Sequence, residues 1–315
     1  MSPVSETSVS LNALTRDFGP VRAVAGLTFD MAPGELFGIV GPDGAGKTTT
    51  LRMLAGVLRP TSGDATVLGA SVARQPEAVK PHIAYMSQRF GLYADLTVRE
   101  NIDFYADLYQ VPAFDRPGRL QRLYEFSALG PFEKRLAGKL SGGMKQKLSL
   151  CCALIHHPDV LLLDEPTFGV DPISRRDLWM ILHDMVVGGM TVLVSTAYLD
   201  EAERCDRVAL LHEGRIVALD SPTVLQQQFD GEILRVRADD PRRARELLGS
   251  HPRVRHAVLF GDTVHATMDD SSRDWPAART TLEAAGLAIL EEGVAEPALE
   301  DVFIELVGAA ESGDE

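Results

Sequence analysis

Cysteine is scarce in this chain of 315 residues, with three in all, and that excludes a disulfide framework. Cys151 and Cys152 are adjacent and Cys205 stands apart, a spacing that suits no metal site and fits a reducing compartment. Long apolar runs are missing too. None approaches the roughly 18 to 20 residues that span a bilayer as a helix, and those present are of strand length, such as 160–163. Membrane contact is therefore expected through a partner. Residues 1–10 lack a basic start followed by an apolar stretch, so no secretory leader is expected. Positive charge is in deficit, with 31 Lys and Arg against 45 Asp and Glu and a formal net charge of -14. That balance argues against a nucleic-acid partner gripped over a broad surface.

What is present suits a soluble chain with a filled core: 45% hydrophobic and 24% charged residues, far from the composition of disorder. The length predicts two domains. Short apolar runs at 36–40, 83–86, 160–163, 191–195 and 208–211 are separated largely by helical stretches, which predicts an α/β core with a mostly parallel sheet. Helical spacing at 96–108 and 119–129 predicts a helical insertion, placed at about 89–158. Composition changes near Gln228, so the first domain is expected over 1–228 and a small α+β domain over 229–315. There, 232–238 alternates like a strand, 242–248 is spaced like a helix, and 254–268 alternates like a hairpin turning at Gly261-Asp262. A helix at 275–285, a strand at 287–290 and a helix at 298–307 complete a β-α-β-β-α-β-α order, that of a ferredoxin-like sandwich.

The chemistry begins at Gly41-Pro42-Asp43-Gly44-Ala45-Gly46-Lys47-Thr48. It fits the phosphate loop G-x-x-x-x-G-K-S/T, between an expected strand and an expected helix at 47–56. Glycines let amides turn toward phosphates, Lys47 supplies a cation for the β- and γ-phosphates of ATP or GTP, and Thr48 a hydroxyl for Mg²⁺. Thr49 completes this nucleotide-binding stretch. At the end of the apolar run 160–163 stand Asp164 and Glu165. Carboxylates at a buried strand end need a cation or a polarised water. Asp164 suits Mg²⁺, held through water, and Glu165 the attacking water.

Leu140-Ser141-Gly142-Gly143-Met144-Lys145-Gln146 resembles the signature sequence of ATP-binding cassette (ABC) ATPases. Ser141 is placed to cap a helix whose amides, with Gly142 and Gly143, approach a γ-phosphate supplied in that family by the opposite subunit. The resemblance covers about the first 220 residues and carries further roles. Phe18 occupies the place of the adenine-stacking aromatic, Gln88 that of a glutamine that senses Mg²⁺ and contributes to catalysis, and Asp171 that of the aspartate that crosses the dimer interface. It implies a P-loop ABC ATPase core with a helical subdomain, a second ATPase subunit as partner, and an integral-membrane permease subunit that places the chain on the cytoplasmic face of the membrane. The tail Glu296-Pro297-Ala298-Leu299-Glu300-Asp301-Val302-Phe303 resembles ATPase subunits of bacterial exporters of drugs, lipids and polysaccharides, which favours export.

Two departures stand out. The family's γ-phosphate histidine is replaced by Ala197 in Ser195-Thr196-Ala197-Tyr198, which cannot donate that hydrogen bond. Asp43 puts a carboxylate in the phosphate loop, where charge repulsion is unfavourable. The alternative to an ATP-hydrolysing motor is thus a nucleotide-binding regulatory partner with a degenerate site, paired with a non-identical ATPase.

Overall fold

The structure is a computed structural model that describes residues 7–88 and 91–313. The chain forms two compact units, Met1–Leu219 and Asp220–Glu315. The division precedes Gln228 because the short helix Pro222–Gln227 packs on the last helix, Leu299–Gly313, and so belongs with the second unit.

The first unit is built on a six-stranded sheet ordered Arg215–Asp220, Arg207–His212, Leu36–Val40, Thr191–Thr196, Val160–Asp164, Ile83–Met86. Pairing is parallel from Arg207–His212 through Ile83–Met86. Leu36–Val40 and Val160–Asp164 are buried at every position, which continuous apolar runs permit when both faces of a sheet are covered. The edge strand Arg215–Asp220 adds to the five strands expected.

A second, four-stranded sheet, ordered Val21–Met31, Val9–Phe18, Ser62–Val67, Ala70–Ser71, is antiparallel and was not foreseen from the sequence. Register shifts interrupt the pairing of its two longest strands between Leu11 and Leu14, Leu14 and Arg16, and Arg16 and Asp17. Each shift breaks the period-two alternation by which a half-buried strand is recognised. The two sheets share one core. Phe29 of the antiparallel sheet stacks on Phe37 of the parallel one, centroids 4.8 Å apart and planes within 4°.

Helices Val98–Leu108, Arg116–Ser127 and Gly142–Leu154 fill the stretch between Ile83–Met86 and Val160–Asp164. The expected start of this insertion, at 89–90, lies outside the described residues. Thr97 and Glu100 form a reciprocal capping box that sets the start of the first helix.

In the second unit, the sheet order is His256–Phe260, Thr263–Met268, Glu232–Ala238, Ile289–Ala295, with antiparallel pairings. Helices Pro241–Gly249 and Ser271–Ala284 pack against it. The strand expected at 287–290 runs over Ile289–Ala295 instead, because its pairing with Glu232–Ala238 extends to Ala295.

Candidate active site

Parallel strands deliver their C-terminal ends to one edge of a sheet, so residues far apart in sequence meet there. Leu36–Val40 ends at the phosphate loop, Val160–Asp164 at Asp164 and Glu165, Ile83–Met86 leads to Gln88, and Thr191–Thr196 brings Ser195.

The phosphate loop is shaped by what lies beneath it. A Cβ on Gly41 would stand 2.2 Å from the Leu211 carbonyl oxygen, and one on Gly46, at φ +101°, 2.5 Å from that of Ala23. Neither position admits a side chain without moving backbone. Pro42, Asp43 and Gly44 form the exposed tip, Ala45 is buried beneath it, and Thr49 is half-buried on the helix that follows. That helix, Lys47–Leu54, has no side-chain cap and no acid in its first turn, so its leading amides remain available to an anion.

Lys47 is only 4% exposed. Its Nζ donates to the carbonyl oxygens of Gly41 at 2.7 Å and Pro42 at 3.0 Å and pairs with Glu165 Oε1 at 3.3 Å. Gln88 Nε2 donates to the other oxygen of Glu165 at 2.8 Å. Glu165 has φ +48°, a left-handed conformation that costs a non-glycine residue about 1 kcal/mol or more and marks functional sites. Its amide is held there by the Ser195 carbonyl and hydroxyl oxygens, each at 3.1 Å.

Asp164 is 1% exposed and accepts three hydrogen bonds. Thr48 Oγ1 and Ser195 Oγ each donate to Oδ1 at 2.9 Å, and Tyr85 donates to Oδ2 at 3.2 Å. Burial, with the charge of Asp164, pushes the Tyr85 hydroxyl up to about 12, so it remains a donor at neutral pH. Among the described residues, no group of three or more His, Cys, Asp or Glu side chains is placed to hold a metal by itself. Thr48 and Asp164 offer one hydroxyl and one carboxylate beside a phosphate loop. This donor set fits Mg²⁺ shared with phosphate oxygens, not a metal caged by protein alone.

The signature residues have other neighbours. Ser141 caps Gly142–Leu154, accepting from the Met144 amide at 3.3 Å. Gly143 lies so close to Ser174 that a Cβ would meet its hydroxyl at 2.1 Å, and Gly142 faces the Gly169 carbonyl. Asp171 caps helix Pro172–Val187 through the Ser174 amide at 3.0 Å. The amide and hydroxyl of Ser174 hold its carboxyl below the usual range. Phe18 ends its strand 46% exposed, with the Arg16 guanidinium 4.5 Å from its ring centroid.

Ala197 is exposed just beyond Thr191–Thr196. The segment is anchored by Glu201, 1% exposed, which accepts from Thr196 Oγ1 at 2.9 Å and Thr167 Oγ1 at 2.8 Å and pairs with Arg175 at 3.2 Å. The sequence had assigned no role to Ser195, Tyr85 or Glu201. The signal that could have found Ser195 and Tyr85 is a hydroxyl near the end of an apolar run, useful only once those runs are known to flank Val160–Asp164 in the sheet.

The ABC transporter family profile matches residues 24–168. A Nod factor export ATP-binding protein I of Burkholderia thailandensis is 35% identical across 97% of this chain and 98% of its own length. The chain belongs to the ATP-binding proteins of ABC transporters. A probable multidrug ABC transporter ATP-binding protein of Escherichia coli is 43% identical across 98% of this cassette protein, which spans about half (53%) of that relative's length. Among solved structures, the ATP-binding subunit of an ABC transporter aligns at TM-score 0.64 with 29% identity, covering 71% of this cassette protein and 93% of that chain. A subunit of an ABC transporter complex from Clostridium perfringens shares the fold at TM-score 0.66 and 23% identity, over 71% of this chain and 92% of its own.

Proposed function

We propose that this cassette protein binds Mg²⁺-ATP and hydrolyses it as the motor subunit of an ABC exporter, driving a separate integral-membrane permease from the cytoplasmic face. The observation that carries the reading is the convergence of Lys47, Thr48, Gln88, Asp164 and Glu165 at one sheet edge. The loop 41–49 takes the phosphates, with Lys47 exchanging its carbonyl and Glu165 partners for the β- and γ-phosphates, and Phe18 offers its open face to the adenine. Thr48, Gln88 and Asp164 hold Mg²⁺, which when bound offsets charge on the phosphoryl oxygens. Glu165, released from Lys47 and steered by Gln88, orients the water for in-line attack and accepts its proton.

Gly142 and Gly143 lie against Gly169 and Ser174, and we assign them, with Ser141, to a nucleotide on a second ATPase subunit, with Asp171 beside Gly143. Relatives named for multidrug and Nod factor export favour a hydrophobic small molecule as cargo. We assign the second unit, ferredoxin-like in its strand order, to dimer contacts or regulation.

Ala197 favours the second reading, a regulatory partner with a weakened site. Steady-state Mg²⁺-ATP hydrolysis by wild type and Ala197→His at several protein concentrations separates the two. Turnover that rises with dimerisation and ignores the substitution supports the self-sufficient motor. Near-absent turnover rescued by the histidine supports the regulatory partner, and nucleotide binding without turnover in either form rejects the motor role.

A further inference from the structure

We propose that Tyr85 is a positioning residue for the Asp164 carboxylate. The proposal rests on the Mg²⁺-ATP reading above. Of the three groups that meet Asp164, Thr48 is itself assigned to the metal, and Ser195 also accepts from the Glu165 amide. Tyr85 is the partner on Oδ2, at 3.2 Å. It stands on Ile83–Met86, adjacent and parallel to Val160–Asp164, in register with Leu162, so its long side chain reaches two residues along to the carboxylate.

A phenol hydroxyl donating to one carboxyl oxygen fixes the direction that the carboxyl group faces. Because Tyr85 stands on the neighbouring strand, Ile83–Met86, which leads to Gln88, the bond ties the orientation of Asp164 to that strand.

Tyr85→Phe keeps the ring and removes the hydroxyl. In the full chain with ADP, Mn²⁺ replaces Mg²⁺ and free Mn²⁺ is read by electron paramagnetic resonance. Half-saturating Mn²⁺ is expected to rise about fivefold to tenfold, while ADP affinity in excess chelator stays unchanged. An unmoved Mn²⁺ titration in Tyr85→Phe overturns the positioning role. So does an equal loss of ADP affinity with and without metal, the mark of a packing contribution alone. If Tyr85→Phe does not fold, Tyr85→Leu, which also removes the hydroxyl, decides by the same titration. A wild-type chain that takes up no Mn²⁺ with ADP overturns the underlying Mg²⁺-ATP reading; normal wild-type uptake beside an indifferent Tyr85→Phe overturns the positioning role by itself.

Discussion

The two units of the chain dispose of charge differently. In the first, Lys47, Asp164, Thr196 and Glu201 are buried polar groups near the ends of parallel strands, where each needs a partner to offset lost hydration. In the second, the sheet and its helices enclose an apolar core, and most ions form exposed pairs such as Arg235 with Glu291 or Arg279 with Glu283. Its buried carboxylates are engaged locally: Asp274 by Arg273 and Arg253, Asp301 by His265 and the Ala298 amide. The first unit thus gathers polar groups beside a loop able to take phosphates, while the second closes its charges on themselves. What separates a reactive site from a scaffold here is whether buried charge gathers beside a phosphate loop, since both units bury carboxylates.

The comparison breaks most sharply at Lys47. Lys47→Ala is expected to weaken ATP affinity about 100-fold or more, since it leaves Glu165 and the bound phosphates without their cation. Glu165→Gln should retain binding and slow phosphate release by about 100-fold or more. A nucleotide titration beside a steady-state assay measures both, and the reverse order of effects would reverse the two roles.

A smaller effect tests the units against each other. Glu201→Ala strands Arg175 and is expected to cost on the order of 3 kcal/mol in urea denaturation, as breaking a buried pair does. Arg279→Ala, which removes exposed pairs with Glu283 and Glu292, should leave the unfolding midpoint essentially unmoved. Equal losses would erase the distinction drawn above.

The smallest expected effect concerns the thiols. Burial pushes Cys151 up to about 12 and raises Cys152 and Cys205 as well. Iodoacetamide at neutral pH should therefore leave all three unmodified in the folded chain and label them after denaturation; rapid labelling of the native protein would show that the packing around the thiols opens readily.

The parallel strands were legible because each is a continuous apolar run bounded by turn residues. The phosphate loop was legible because its glycines are required by local backbone geometry. The first antiparallel sheet was not, since three register shifts scramble its alternation. Ser195 and Tyr85 stayed hidden for another reason: a hydroxyl has no visible role until its acceptor is known, and the acceptor, Asp164, lies 31 residues from one and 79 from the other.

The amino-acid sequence alone determined which residues could bind phosphate, carry negative charge at a strand end and start the signature helix, because those properties depend on local residue types and spacing. Tertiary structure alone decided that Tyr85, Ser195 and Thr48 converge on one carboxylate, that Gln88 and Lys47 share the next, and that Glu201 anchors the segment bearing Ala197. Such meetings depend on which strands become neighbours, and sheet order is set by the packing of the whole core rather than by any single segment.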